Sequence, residues 1–237
     1  MKHNATLFIL FLLVFAQPSI AQTRNTFQKQ TFVGVHGSPT LYIPRWNFNN
    51  DQYKLQPLVG FMTGVSFQYN FLKHFELHVE LNYEETGYRS IAQNPCPDCI
   101  IYNDVYTGNM FALPSNFTHR YQYLSLPVSL KFNMIKRERF AFFLDAGINF
   151  RAFLGEDLVA ANYYTGETLY AFHYDRKEKY LGGLAGLGVD FTLTKRVHVF
   201  IEARDYFFNR RLTETDNMEL TQHSFQLIVG LTYRLNQ

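Results

Sequence analysis

One feature restricts this chain more than any other. Along most of its length, apolar side chains recur at every second residue. Residues 75–84 show the pattern most cleanly: Phe75, Leu77, Val79, Leu81 and Tyr83 share one face, and Glu76, His78, Glu80, Asn82 and Glu84 share the other. A period of two belongs to a β-strand, whereas a helix would mix the two sets on one side. The alternation returns in residues 140–150 and 225–235, and more weakly at 31–42, 57–72, 120–134, 180–194 and 197–211, which makes eight segments.

The connections alternate in length. Residues 73–74, 136–139 and 195–196 are short and charged, whereas residues 43–56, 90–119, 155–179 and 212–221 form long polar loops. Short turns at one end and long loops at the other are the habit of an outer-membrane barrel, with the short turns in the periplasm. A soluble lipocalin-like barrel shares the period, but it buries its apolar face and exposes its charges. Here the polar face carries both signs, in Glu76, Glu80, Glu84, Lys131, Asp145, Arg151, Asp190, Glu202, Arg204 and Arg234, interspersed with glycines such as Gly64, Gly147 and Gly186. Opposite charges among small residues suit the inside of a narrow barrel, and the large aliphatic and aromatic face suits lipid. The expected fold is therefore all-β: an eight-stranded antiparallel up-and-down transmembrane β-barrel with short periplasmic turns and long extracellular loops.

The ends and the composition agree with export. Lys2 precedes an apolar run at residues 7–16 and then Ser19, Ile20 and Ala21, the order of a secretory signal peptide. The run is too short to cross about 30 Å of hydrocarbon as a helix. Residues 1–21 read as a signal peptide and residues 22–237 as the barrel domain, exported to the bacterial outer membrane. The chain holds 24 Phe and 16 Tyr against a single Trp. Aromatics gather near the segment ends, at Tyr69, Phe71, Phe75, Phe132, Phe140 and Tyr233 by the turns and at Tyr42, Tyr88, Tyr121, Phe153, Tyr180 and Phe207 by the loops, where girdles at the membrane interfaces are expected. The near-neutral charge points to no nucleic-acid partner. Pro127, inside the fourth segment, calls for a bulge or a bend, because proline removes a ladder hydrogen bond.

Residues 123–132, YLSLPVSLKF, resemble the Tyr-Leu-x-Leu/Ile-Pro-x-x-Leu-Lys signature of PorT-like outer-membrane β-barrel proteins of Bacteroidetes. The glycine-rich residues 182–188 and the closing residues 230–235 are similar to that family too. The resemblance implies the barrel, its location and a proline in the fourth strand; it transfers no catalytic residue.

Candidate chemistry is sparse. Cys96 and Cys99 form a CxxC in the second outer loop. With no thioredoxin-like unit around them and no second pair to complete a zinc site, a loop disulfide is the expected state, ahead of redox or metal chemistry. His223 and Ser224 open the last strand, where a lipid hydrolase would need a His within reach of a Ser. Neighbours on a strand point to opposite faces, so these two cannot pair. The interior charges Glu76, Glu80, Lys131, Asp145, Arg151, Asp190, Glu202, Arg204 and Arg234 are expected to form a structural ion-pair network, because eight strands enclose only enough room for side chains. Tyr163, Tyr164, Tyr170, Phe172 and Tyr174 enrich the third outer loop and suit either contact with a partner or cover for the barrel mouth. No cofactor is expected. The partners expected are outer-membrane lipid and, through the loops, envelope or secretion proteins. A non-enzymatic envelope role leads; a barrel enzyme acting on lipid or peptide at the outer rim, and a small pore, are the alternatives.

Overall fold

The computed structural model describes residues 29–46, 53–92, 100–103, 110–112, 115–162, 166–174, 179–211 and 219–235. In chain order the strands are β1 (Gln30–Trp46), β2 (Tyr53–Asn70), β3 (Phe75–Ala92), β4 (Ile100–Asn103), β5 (Met110–Ala112), β6 (Ser115–Lys136), β7 (Phe140–Asn162), β8 (Thr168–Tyr174), β9 (Lys179–Thr192), β10 (Val197–Arg211) and β11 (Glu219–Arg234). Eight of them, β1, β2, β3, β6, β7, β9, β10 and β11, each pair antiparallel with the next of the eight in chain order, and β1 pairs with β11 to close the ring. Closure leaves no open edge inside the barrel wall, as a wall in hydrocarbon requires.

The smaller strands shorten the loops read from sequence. β4 and β5 pair with each other inside the second outer loop. β7 runs on to Asn162 and pairs with β8, so most of the supposed loop at residues 155–179 is sheet. β8 lies along the same side of β7 as β9, with Tyr174 opposite Glu156 and Lys179 opposite Ala152. Above the membrane a strand needs no apolar face. Backbone pairing carries polar residues such as Thr118 and Asp157 in strand form, and a hydrophobic period does not report them.

The faces divide as the alternation dictates. Val65 is 53% exposed, Leu81 48% and Leu187 62%, whereas Glu80 is 2% and Glu202 and Arg204 0%. A lipocalin-like barrel would reverse these values, so the apolar face is the outer one. On the turn side, outer aromatics meet in pairs: Phe75 and Phe132, register partners, lie 5.1 Å apart, and Phe140 and Phe142 lie 5.7 Å apart. On the loop side the outer face turns polar at Glu85, Arg120, Gln122 and Asp157, which bounds the apolar band.

Pro127 and Leu154 affect the ladders of β6 differently. Pro127 produces no bulge: the β3–β6 ladder passes from Val79 opposite Val128 to Asn82 opposite Ser125 without a shift, and β6 pairs through Pro127 with Asn149 of β7. The missing donor costs ladder contacts with β3 alone. At Leu154 the β6–β7 ladder does slip, between Gln122 and Tyr123. The inward set on β7 therefore changes from Asp145, Asn149, Arg151 and Phe153 to Glu156, Leu158 and Ala160. At Gly147 a Cβ would stand 2.2 Å from the Val128 carbonyl oxygen, so β6 and β7 approach there more closely than a side chain allows.

Candidate functional site

The inward residues of β10 are His198, Phe200, Glu202, Arg204 and Tyr206, all buried. Arg204 is the hub. Its Nη2 and Nη1 donate to Glu80 Oε1 at 2.7 Å and Oε2 at 3.0 Å. Its Nε and Nη2 donate to Glu202 Oε1 at 2.7 Å and Oε2 at 3.1 Å, and Nη2 also reaches Asp145 Oδ2 at 3.2 Å. Nη1 donates further to the Tyr206 hydroxyl at 2.8 Å. Two forked guanidinium–carboxylate contacts on one side chain match the planar geometry that Arg alone offers.

The surrounding strands extend this cluster. Lys131 of β6 lies 3.6 Å from Glu202 and over the rings of Phe143 and Phe200, at 4.5 and 4.8 Å. His36 of β1 contacts Asn82 Oδ1 at 2.9 Å, and Asn82 Nδ2 donates to Glu80 Oε2 at 2.8 Å. His78 lies 3.3 Å from Glu80 and 4.0 Å from Asp145. Nearer the loops, Glu84 of β3 receives the Arg151 guanidinium and the Ser125 hydroxyl, while Arg151 lies over the rings of Tyr123 and Tyr206.

Of the charges singled out in the sequence, Glu80, Lys131, Asp145, Arg151, Glu202 and Arg204 thus gather in the middle of the lumen. Glu76, Asp190 and Arg234 lie apart at the turn end, where Asp190 accepts from His198 Nδ1 at 3.0 Å. His36, His78, Asn82 and Tyr206 were not among the charges chosen from sequence. Their position on the inward parity of β1, β3 and β10 was the available signal.

Above the charges sits a layer of rings, and it corrects the girdle assignment. Tyr42, Tyr88, Tyr121, Tyr123 and Phe153 form one buried cluster inside the barrel, with Leu55 and Tyr180 packed on it. Tyr42 and Tyr88 stack at 6.1 Å, Tyr123 meets Phe153 edge-on at 5.5 Å, and the Tyr121 hydroxyl donates to that of Tyr88 at 3.4 Å. Parity decides this: Tyr42 lies two residues beyond buried Thr40, Tyr88 four beyond buried Glu84, and Phe153 two beyond buried Arg151. Of that loop-side set only Phe207 faces outward, 42% exposed. Ring pairs at these distances add to the area they bury. Together the two layers fill the bore, as eight strands permit.

At the rim His119 contacts Glu156 at 2.8 Å and stacks on Tyr88 at 4.7 Å. Outside it, Arg120 Nη1 donates to Glu85 at 3.1 Å, and Asp157 meets both Gln122 Nε2 and His173. Tyr170, Phe172 and Tyr174 of β8 form a row, 6.1 and 6.2 Å apart. His223 sits beside outward Asp205 at 3.7 Å, whereas Ser224 is wholly buried in the lumen, so no nucleophile–base pair forms between them. Cys96, Cys99, Tyr163, Tyr164 and the segment 1–21 lie outside the described residues.

The family model for an outer membrane protein beta-barrel domain matches residues 15–207. Among solved structures, the outer membrane protein OprG from Pseudomonas aeruginosa superposes with a TM-score of 0.50 at 11% identity, over 88% of this chain and 97% of that one. Neisserial surface protein A gives 0.47 at 10% identity over 87% and 99%, and a major outer membrane protein from Thermus thermophilus gives 0.47 at 11% over 88% and 100%. No curated protein matches the sequence.

Proposed function

The chain belongs to the outer membrane protein β-barrel domain family, and from that premise we propose that it is a non-enzymatic envelope component that acts through its outer rim and loops. It is a protein of the bacterial outer membrane. One observation carries the reading: the bore is filled twice over, by the Arg204 cluster and by the Tyr42, Tyr88, Tyr121, Tyr123 and Phe153 layer. A filled bore leaves the surfaces to do the work. The outer ends of β6, β7 and β8 stand above the apolar band and present Arg120, Asp157, His173 and the β8 ring row. Polar and aromatic groups on a rigid sheet suit contact with another envelope or secretion protein. The residues 123–132 motif supports the finer assignment to PorT-like proteins, for which such a role fits.

The test is planar-bilayer recording on the folded protein, paired with lipid analysis of cells that express it. Silence in the bilayer and an unchanged lipid profile are expected. Discrete current steps would turn the reading toward a pore, and a changed lipid A or phospholipid pattern toward a rim enzyme.

A further inference from the structure

At the turn end, on the periplasmic side of the Arg204 cluster, the lumen opens into a cavity of about 270 Å³. Apart from Lys136, Arg137 and Glu138 of the turn, its charged lining falls into two groups. Asp190 is matched by His198, whose Nδ1 donates to it at 3.0 Å. Lys131 stands opposite Glu76 in the β3–β6 register, yet its ammonium goes to Glu202 at 3.6 Å and to the rings of Phe143 and Phe200.

The second group is left over. Glu76 is 8% exposed and makes no hydrogen bond or ion pair among the described residues. Arg234 donates to His198 Nε2 at 3.5 Å and lies over the Phe32 ring at 5.5 Å. Among the described residues no carboxylate comes within 4.0 Å of it, and its Nε is buried without an acceptor. A buried carboxylate without a hydrogen-bonding partner is costly. Here buried Glu76 and half-buried Arg234 border one cavity, and either a lone anion or a lone cation would satisfy only one of them.

We propose that this vestibule binds a small zwitterion of the amino-acid or short-peptide class, its carboxylate on Arg234 and its ammonium on Glu76. The volume falls just below the roughly 300 Å³ at which pockets for drug-sized ligands begin, which suits a molecule between an amino acid and a dipeptide. Lys136 and Arg137 outnumber Glu138 in the turn that lines the entrance and favour approach of the carboxylate end. Because the short turns face the periplasm, the ligand is either a free amino acid or the zwitterionic end of a wall peptide.

The test is an NMR titration of the refolded protein in detergent micelles with dialanine, read at the amides of Asn70, Glu76, His198 and Arg234. Saturable shifts confined to that end are expected. N-acetyl-dialanine, without the ammonium, and dialanine amide, without the carboxylate, should each bind roughly tenfold more weakly or worse. E76Q should lose the discrimination against the acetylated probe, and R234Q that against the amide. E76Q removes a buried carboxylate that makes no hydrogen bond or ion pair among the described residues, so it should fold about as well as the parent, and its heat-dependent gel shift checks this. A parallel titration with alanine separates the sources: equal affinity supports a free amino acid, and weaker affinity a peptide end. No saturable shift at these residues, or E76Q binding and discriminating like the parent, overturns the proposal.

Discussion

Arg204 and Glu80 face each other across the lumen through two hydrogen bonds of 2.7 and 3.0 Å, although 124 positions separate them in the chain. Both are buried, so R204A strands Glu80, Glu202 and Asp145 in a poor solvent, whereas E80A leaves Arg204 held by Glu202 and Asp145. R204A should cost about 3–5 kcal/mol, the usual loss when a buried pair is broken, and E80A less. Urea unfolding of the protein in lipid vesicles would measure it. The doubly substituted protein should be less damaged than the sum of the two losses, because Glu80 is then not left behind as a buried charge without Arg204.

The ring layer predicts a different outcome. Y121A should lower stability by about 3–5 kcal/mol, the range for aromatic truncation in a core. Bilayer recordings should nonetheless stay silent, since Arg204 and its carboxylates still fill the bore beneath. Current in Y121A alone would show that the charged layer does not seal.

Two glycines give a matched pair. At Gly147 an added Cβ meets the Val128 carbonyl at 2.2 Å, whereas at Gly183 the nearest atom is Phe207 Cδ2 at 3.8 Å. G147A should therefore cost about 1–3 kcal/mol by overpacking and reduce the heat-modifiable form on gels. G183A should leave that band unchanged.

Pro127 supplies a register test. P127A restores a donor toward β3 without changing the ladder on either side, so the pairing of Val79 with Val128 should persist. Stability should shift by at most about 1 kcal/mol, the worth of one hydrogen bond. Cross-strand NOEs between the Val79 and Val128 methyl groups would check the register; their loss would mean that the proline fixes it.

The strands, their number and the outward face were legible because an apolar band in contact with lipid imposes a period of two. The loop-side rings were misread because nearness to a strand end was weighed above parity. Counting from Glu80 through Glu84 to Tyr88 places Tyr88 inside, and Arg151 does the same for Phe153. Beyond Leu154 counting fails: the slip puts Glu156 in and Asp157 out, and only backbone pairing reveals it. The Arg204 hub was half visible. Its charges stood on the inward face, but which carboxylate meets which cation depends on curvature around the ring, and curvature has no signature in a linear pattern. In β8, Tyr170, Phe172 and Tyr174 do recur at every second residue, but Leu169 and Ala171 between them are apolar too, so no alternation of apolar and polar residues marked the strand and it was read as loop.

The pairing of β1 with β11, from Phe32 opposite Arg234 to Trp46 opposite Leu220, has a consequence for assembly. The first strand made must wait for the last. Until then each holds a raw edge that hydrocarbon will not tolerate, so the chain has no stable half-inserted form, and a ribosome that stops before β11 yields nothing the membrane can keep.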